Sequence, residues 1–229
     1  MESPIAVIGG TGRVGRLVAR SLLERGERVR VLGRSAHAAA RPEEGLTHLR
    51  ADVREAHTLT APLADCSAVV YSVEPGTADS GPGSPRATMY QGMLNTLAAL
   101  GTNAAHVVLV SQIYVTRKNH SMNAYGHLLD WRLAGEDALR AADLPHTVIR
   151  PSWLTDHRDA GTGVRLEQGD AGDGRISRAD VAEAVVQALY APQGAGITFE
   201  MYNEPGSAAP DWPRLFGALR RDEPAAVAR

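Results

Sequence analysis

Cysteine is almost absent from this chain: Cys66 stands alone among 229 residues. An internal disulfide is thereby excluded, and a thiolate zinc site lacks its ligand set. Such usage suits a reducing compartment, and the cytoplasm is the expected location. Long hydrophobic runs are missing too. The apolar stretches are short, Val107 to Val110 for example, against the roughly 20 residues needed to span a bilayer. A secretory leader is not expected, because a strand-like apolar run is reached by Ile5 with no basic segment and long apolar core ahead of it. Neither sign of charge dominates: 24 Lys and Arg against 26 Asp and Glu leave a formal net charge of -2. Nucleic acid and an anionic membrane are therefore not expected partners. No His, Asp and Glu spacing reads as a metal site.

What is present is a core-forming composition, with 44% hydrophobic and 22% charged residues. The length suits one large α/β domain. Strands are expected at Pro4 to Ile8, Arg28 to Leu32, Leu46 to Ala51, Ala68 to Ser72, His106 to Val110 and His146 to Ile149. Helical periodicity covers Arg16 to Arg25, with Leu17, Val18, Ser21 and Leu22 on one face, then Ala87 to Leu100 and Asn123 to Ala142. This alternation predicts an α/β fold, a parallel sheet with helices on both faces. Glu74 to Pro85 and Asp156 to Gly174 read as loops, and the first, following the fourth strand, is placed either to cover a site or to make a plain surface connection. A helix is expected from Arg178, with Asp180 as its cap or in its first turn. A late strand at Ile197 to Tyr202, a short helix at Trp212 to Leu219 and a frayed tail at Pro224 to Arg229 follow.

The glycine turn between the first strand and first helix carries chemistry. Gly10, Gly12 and Gly15 match G-x-G-x-x-G, while Gly9, Gly12 and Gly15 match G-x-x-G-x-x-G. Placed after a strand and opening a helix, this pattern signals a dinucleotide site. Glycine allows the turn and the close approach of a pyrophosphate, which faces backbone N–H groups at the helix N-terminus. About 20 residues on, an NAD-preferring site usually carries an acidic residue. Here the second strand ends in Arg34. A planar, permanently charged fork suits a 2′-phosphate, and Arg13 inside the turn adds a second cation. NADP(H) is therefore the preferred cofactor, with NAD(H) the alternative. Asp52 and Val53 follow the third strand. The carboxylate can accept from the adenine amino group while the next N–H serves a ring nitrogen, or Asp52 can act as a cap.

Gly9 to Gly15, Arg34, Asp52-Val53, the strand ending at Ser111, Thr147 to Pro151 and Arg178-Ala-Asp-Val-Ala together resemble the atypical branch of the extended short-chain dehydrogenase/reductase superfamily, the NmrA-like NAD(P)H-binding proteins. The resemblance spans nearly the whole chain. It implies a Rossmann doubly wound sheet over residues 1–229 with a small C-terminal substrate-binding portion, built from about 151–180 and 203–229. It also implies that Ser72, Val73 and Glu74, then Ser111 and Gln112, then Pro151 and Ser152 face the nicotinamide. The cofactor-side set is thus Gly9, Thr11, Gly12, Arg13, Val14, Arg34, Asp52, Val53, Val73, Glu74, Ser111 and Pro151.

The superfamily's usual catalytic group is Ser, Tyr and Lys, with Lys four residues after Tyr. This chain offers Ser111 and Tyr125 as catalytic candidates, but Leu129 stands at the Lys position. An unassisted phenol titrates near 10 and is a poor base at neutral pH. Arg132, seven residues after Tyr125, would share its helical face and supply charge. Tyr125 is then an acid/base, a ligand contact or a packed ring. Ser111 reads as a nicotinamide-side hydrogen-bond donor rather than a nucleophile, since no G-x-S-x-G elbow surrounds it. Trp153 walls a pocket or packs in the core. His120, His127 and His157 fall in segments the fold can bring near the site. The expectation is an NADP(H)-dependent oxidoreductase acting on a small carbonyl or aromatic compound, as a monomer or homodimer. A non-catalytic NADP(H)-sensing regulator and a cofactor-assisted isomerase or epimerase are the alternatives.

Overall fold

The computed structural model describes residues 3–35, 43–206 and 209–223. Ten strands run along the chain: β1 Ile5–Ile8, β2 Val29–Gly33, β3 Leu46–Arg50, β4 Ala68–Tyr71, β5 His106–Val110, β6 His146–Pro151, β7 Trp153–Thr155, β8 Thr162–Glu167, β9 Arg175–Ser177 and β10 Ile197–Pro205. The helices are α1 Arg13–Glu24, α2 Thr60–Leu63, α3 Gly92–Leu100, α4 Leu128–Ala141, α5 Arg178–Tyr190 and α6 Trp212–Gly217. Among the described residues, eight strands form one sheet in the order β3-β2-β1-β4-β5-β6-β10-β8, and β7 and β9 pair separately.

The strands are apolar on both sides because both faces are covered. Along β1, Ile5 and Val7 pack with α1 and α5 residues such as Val18, Leu22 and Val185. Ala6 and Ile8 point the other way, toward Met93 of α3 and Leu139 of α4. This is a Rossmann α/β fold, and β1 sits at its topological switch point, between β2 and β4. All pairings in the large sheet are parallel except β10 with β8.

That exception corrects the expected loop at Asp156 to Gly174. Its middle, Thr162 to Glu167, is an edge strand paired with Glu200 to Pro205, so the late strand also runs past Tyr202. The segment's glycines mark its two ends more than its interior. Further corrections concern helices. The Ala87 to Leu100 helix begins at Arg86 as a wide π turn through Gln91. Tyr71 Oη donates to the Thr88 carbonyl at 2.6 Å inside that turn, and Gly92 leaves room for it, since a Cβ there would lie 2.5 Å from Tyr71 Oη. The helix expected from Asn123 starts only at Leu128, because Gly126 and His127 hold left-handed φ values of 62° and 55°. Of the two places expected for Asp180 the first turn of α5 is the one it holds, while Ser177 is the cap, accepting from Asp180 N at 3.1 Å. The tail Pro224 to Arg229 lies outside the described residues, as does part of the 203–229 segment.

Candidate functional site

The carboxyl ends of β1 to β6 open into one cleft of about 780 Å³, within the roughly 300–1,000 Å³ of small-molecule sites. Every cofactor-side residue expected from sequence lines it: Gly9, Thr11, Gly12, Arg13, Val14, Arg34, Asp52, Val53, Val73, Glu74, Ser111 and Pro151. Tyr125 does not line it. It sits in the turn before α4, 55% exposed, so the shared helical face with Arg132 does not exist. Leu129 is fully buried in a small core with Ile113 and Tyr202. His127 is exposed and pairs with Asp130, His157 is exposed, and His120 stacks on Tyr114.

At one end of the cleft the glycine turn is held by Gly12 N donating to Gly9 O at 2.9 Å. Gly9 has φ 77°, and a Cβ there would meet Ser72 O at 2.1 Å. A Cβ at Gly15 would meet Gly9 O at 2.3 Å. Only glycine satisfies both positions. Helix α1 opens on Gly12 with no side-chain cap and no acidic residue in its first turn. Its N-terminal amides are thus left for an anion. Arg13 lies 3.6 Å from Asp156, whose other oxygen accepts from Arg178 Nη1 at 2.7 Å. Arg34 lines the same end.

Asp52 is more engaged than the sequence suggests. It accepts from Arg54 N at 3.0 Å and Nε at 2.8 Å, and pairs with Nη2. The Arg54 guanidinium, with Arg34 farther off, holds this carboxyl below its usual range against the opposing effect of burial. Asp52 therefore caps a turn at Arg54, and its second oxygen is paired with the same guanidinium. Arg54 Nη1 also donates to Pro82 O at 2.7 Å, tying the Glu74 to Pro85 loop to the rim. Gly76, Pro82 and Gly83 of that loop line the cleft, which settles its covering position.

The opposite end holds buried polar groups. Ser111 Oγ donates to Glu136 Oε1 at 2.6 Å. Glu136 Oε2 in turn takes Arg150 Nη2 at 2.6 Å and Arg140 Nη1 at 3.2 Å, while Arg150 Nη1 donates to Glu200 Oε1 at 2.9 Å. Burial lifts the Glu200 carboxyl above its usual range, with Arg150 opposing. The Ser111 proton is thus directed away from the cleft, which corrects the donor reading: its oxygen presents lone pairs only. Arg132, 4% exposed, donates Nη2 to Glu74 Oε2 at 3.1 Å. It brings a cation to the cleft three residues beyond the absent Lys. Trp153 is 52% exposed and lines the cleft, so it is a wall residue and not core.

Sequence reasoning missed Arg54, Tyr114, Met122 and Arg178, all of which line the cleft. Tyr114 stands three residues past Ser111, on the loop leaving the carboxyl end of β5. That position was the available signal, since loops there face ligands.

The residues fit a dinucleotide on two counts. The uncapped amides of α1 meet open space at Gly12, where a Cβ would approach only Gly9 O, at 3.1 Å. In addition, Arg132 Nε and Ser152 Oγ are buried without a hydrogen-bond partner, and both residues line the cleft. Buried polar atoms without partners are rare and point to a missing ligand or solvent atom.

Comparison with known proteins agrees. A family model described as NAD(P)H-binding matches residues 9–192. Quinone oxidoreductase 2 of Escherichia coli K12 is 26% identical over 214 residues, covering 90% of this chain and 69% of that protein. Sanguinarine reductase of Eschscholzia californica is 32% identical over 124 residues, 50% of this chain and 45% of that protein. A short-chain dehydrogenase/reductase of Veillonella parvula, solved in complex with NADP, superposes with a TM-score of 0.68 at 19% identity, covering 91% of this chain and 99% of that one. No described helix is long and apolar enough to cross a membrane. The matched model, spanning most of the chain, places this protein in the NAD(P)H-binding family, on a Rossmann sheet that it shares with that solved neighbour.

Proposed function

We propose that this protein is an NADP(H)-dependent reductase of a small carbonyl or aromatic compound, with NAD(H) the weaker cofactor. The observation that carries the reading is one continuous cleft. It has an uncapped glycine turn flanked by Arg13 and Arg34 at one end, and unpartnered Arg132 Nε and Ser152 Oγ near the other. The reductases among its relatives support the reaction class. The whole chain, 1–229, acts as one domain, with about 151–180 and 203–229 on the substrate side. It works in the cytoplasm, as a monomer or homodimer, on a small-molecule partner.

When bound, NADPH supplies a hydride to the acceptor. The chain's own part is to bind, orient and shield. Backbone amides at Thr11, Arg13 and Val14 would hold the pyrophosphate, over the turn that Gly12 N closes on Gly9 O. Arg34 and Arg13 hold the 2′-phosphate as fixed cations. Asp52 and Val53 hold the adenine edge. Val73, Glu74 and Pro151 flank the nicotinamide end, where Ser111 Oγ accepts a hydrogen bond and Arg132 supplies a desolvated cation. The tethered Glu74 to Pro85 loop limits water entry. Tyr125, exposed and outside the cleft, contacts ligand only if the turn before α4 moves.

Calorimetric titration tests the cofactor assignment. NADPH is expected to bind at least tenfold more tightly than NADH, and Arg34→Ala to erase the difference. Equal affinities in the native chain would overturn the preference. The sensing alternative draws on Leu129 at the Lys position. It requires tight NADPH binding with no turnover of any quinone, ketone or enone.

A further inference from the structure

Tyr114 occupies an unusual place. It lines the cleft and is only 3% exposed, yet its backbone holds a left-handed φ of 76°. A bulky residue keeps such a conformation only where its surroundings over-determine it. Here the Asp170 carboxylate does so, accepting from Tyr114 N at 2.5 Å and from both Thr116 N and Thr116 Oγ1 at 2.9 Å. Arg117 locks the same loop from the other side, donating Nε to Asp170 O at 2.9 Å and Nη2 to Gly172 O at 2.6 Å. The ring is fixed between the His120 imidazole, 4.4 Å away, and the Arg117 guanidinium, also at 4.4 Å.

The phenol is aimed as firmly as the backbone. Oη accepts from Trp153 Nε1 at 3.2 Å and donates to Asp173 Oδ1 at 2.5 Å. Trp153 is itself a cleft wall, and Asp173 is exposed to solvent. The result is a short path from the cleft, through one hydroxyl and one carboxylate, to water. We propose that Tyr114 is the catalytic acid of this cleft, with Asp173 as the group that returns its proton. This rests on the reductase reading above.

The step balances without a further reactant. The acceptor carbon gains the hydride that the reduced cofactor gives up, and the C=O π bond breaks toward oxygen. That oxygen takes the Tyr114 Oη proton, which leaves Asp173, a carboxylate exposed to solvent so that water replaces the lost bond, unlike the buried Glu136 that holds the Ser111 proton. The phenolate then recovers a proton from water by way of Asp173. Burial, reinforced by the hydrogen bond to Asp173, lifts the phenol above its usual range, with Trp153 and Arg117 opposing. The group stays protonated at neutral pH, as a donor must, and is ill suited to abstraction. The acid therefore works in the direction of reduction.

Two probes separate an acid from a packing residue. Reduction of 4-nitrobenzaldehyde or 1,4-naphthoquinone places a proton on oxygen, whereas the N-methylacridinium cation accepts hydride with no proton. Tyr114→Phe keeps the ring stack. It is expected to lower kcat on the carbonyl probes on the order of 10²-fold, with acridinium reduction and NADPH affinity within about threefold of native. Retention of carbonyl reduction, or proportional loss on both probes, overturns the proposal, as does a native chain that reduces only acridinium. If the native chain reduces only carbonyls, lost turnover at unchanged NADPH affinity supports it. A native chain that binds NADPH and reduces neither probe sinks the reductase reading instead. Independently of turnover, the Tyr114 ¹³Cζ resonance, assigned by its loss in Tyr114→Phe, is expected to titrate above 10 and to move down in Asp173→Asn. A titration indifferent to Asp173 overturns the proton path.

Discussion

Ser111 gives its one hydroxyl proton to Glu136, 2.6 Å away and with no exposure to solvent. The carboxylate that receives it is braced by two guanidiniums, Arg150 and Arg140. A hydroxyl so placed has a fixed direction, and the cleft meets only its lone pairs.

Removing the Glu136 charge should therefore be costly. Glu136→Gln leaves Arg150 with Glu200 alone and costs about 3–5 kcal/mol, the usual penalty for breaking a buried pair. Urea denaturation at neutral pH measures it, and a loss under about 1 kcal/mol would contradict the bracing described above.

Acid should weaken the fold through His106. Thr147 Oγ1 donates to Gly194 O at 2.6 Å, so it can only accept from His106 Nε2, 2.8 Å away, which therefore carries a proton in the neutral tautomer. Burial, with His146 nearby, pushes His106 down to about 4. Between pH 6.5 and 4 the unfolded chain holds a proton that the folded chain does not. Stability is thus fully present above about pH 6.5 and falls by about 3 kcal/mol on going to pH 4. His106→Gln should flatten that slope in denaturation curves collected across the range.

Two glycines of the turn should separate folding from binding. Gly15→Ala drives a Cβ to 2.3 Å from Gly9 O and is expected to cost about 1–3 kcal/mol despite the better helix propensity of Ala. Gly12→Ala meets only Gly9 O at 3.1 Å, so stability changes by under about 1 kcal/mol. Its methyl enters the space in front of the amides, and nucleotide affinity falls at least tenfold. Calorimetry and thermal unfolding on both variants check the contrast. Equal effects on both would refute it.

Arg132 should show activity set against stability. A buried guanidinium whose partner, Glu74, is exposed gains little from pairing. Arg132→Met is expected to leave Tm unchanged or raised, while kcat/KM falls at least tenfold. A lowered Tm with intact turnover would assign Arg132 to the scaffold.

The sheet was legible because both-face burial leaves unbroken apolar runs, as in Ile5–Ile8 and Ala68–Tyr71. The glycine turn was legible because its steric demand falls on the backbone, where residue type is decisive. Less visible was β8, an edge strand whose Thr162–Glu167 sequence carries charges and glycine because one side is solvated. Tyr125 misled because helical periodicity continues through Asn123 to His127, while the left-handed Gly126 and His127 break it, and at Gly126 a Cβ would meet Ala78 O of a distant loop. Tyr114 and the Glu136–Arg150 pair depend on contacts across 14 residues or more, such as Arg150 with Glu136 and Tyr114 with Asp173. No local pattern encodes such distances.

Asp156 lies between Arg13 of the glycine turn and Arg178 of α5. An arriving phosphate meets a cation that already has an anionic companion. Capture at this turn is then an exchange of one anion for another. Asp156 also accepts from the largely buried Arg178 at 2.7 Å, so the carboxylate keeps a cationic partner when Arg13 turns to a phosphate.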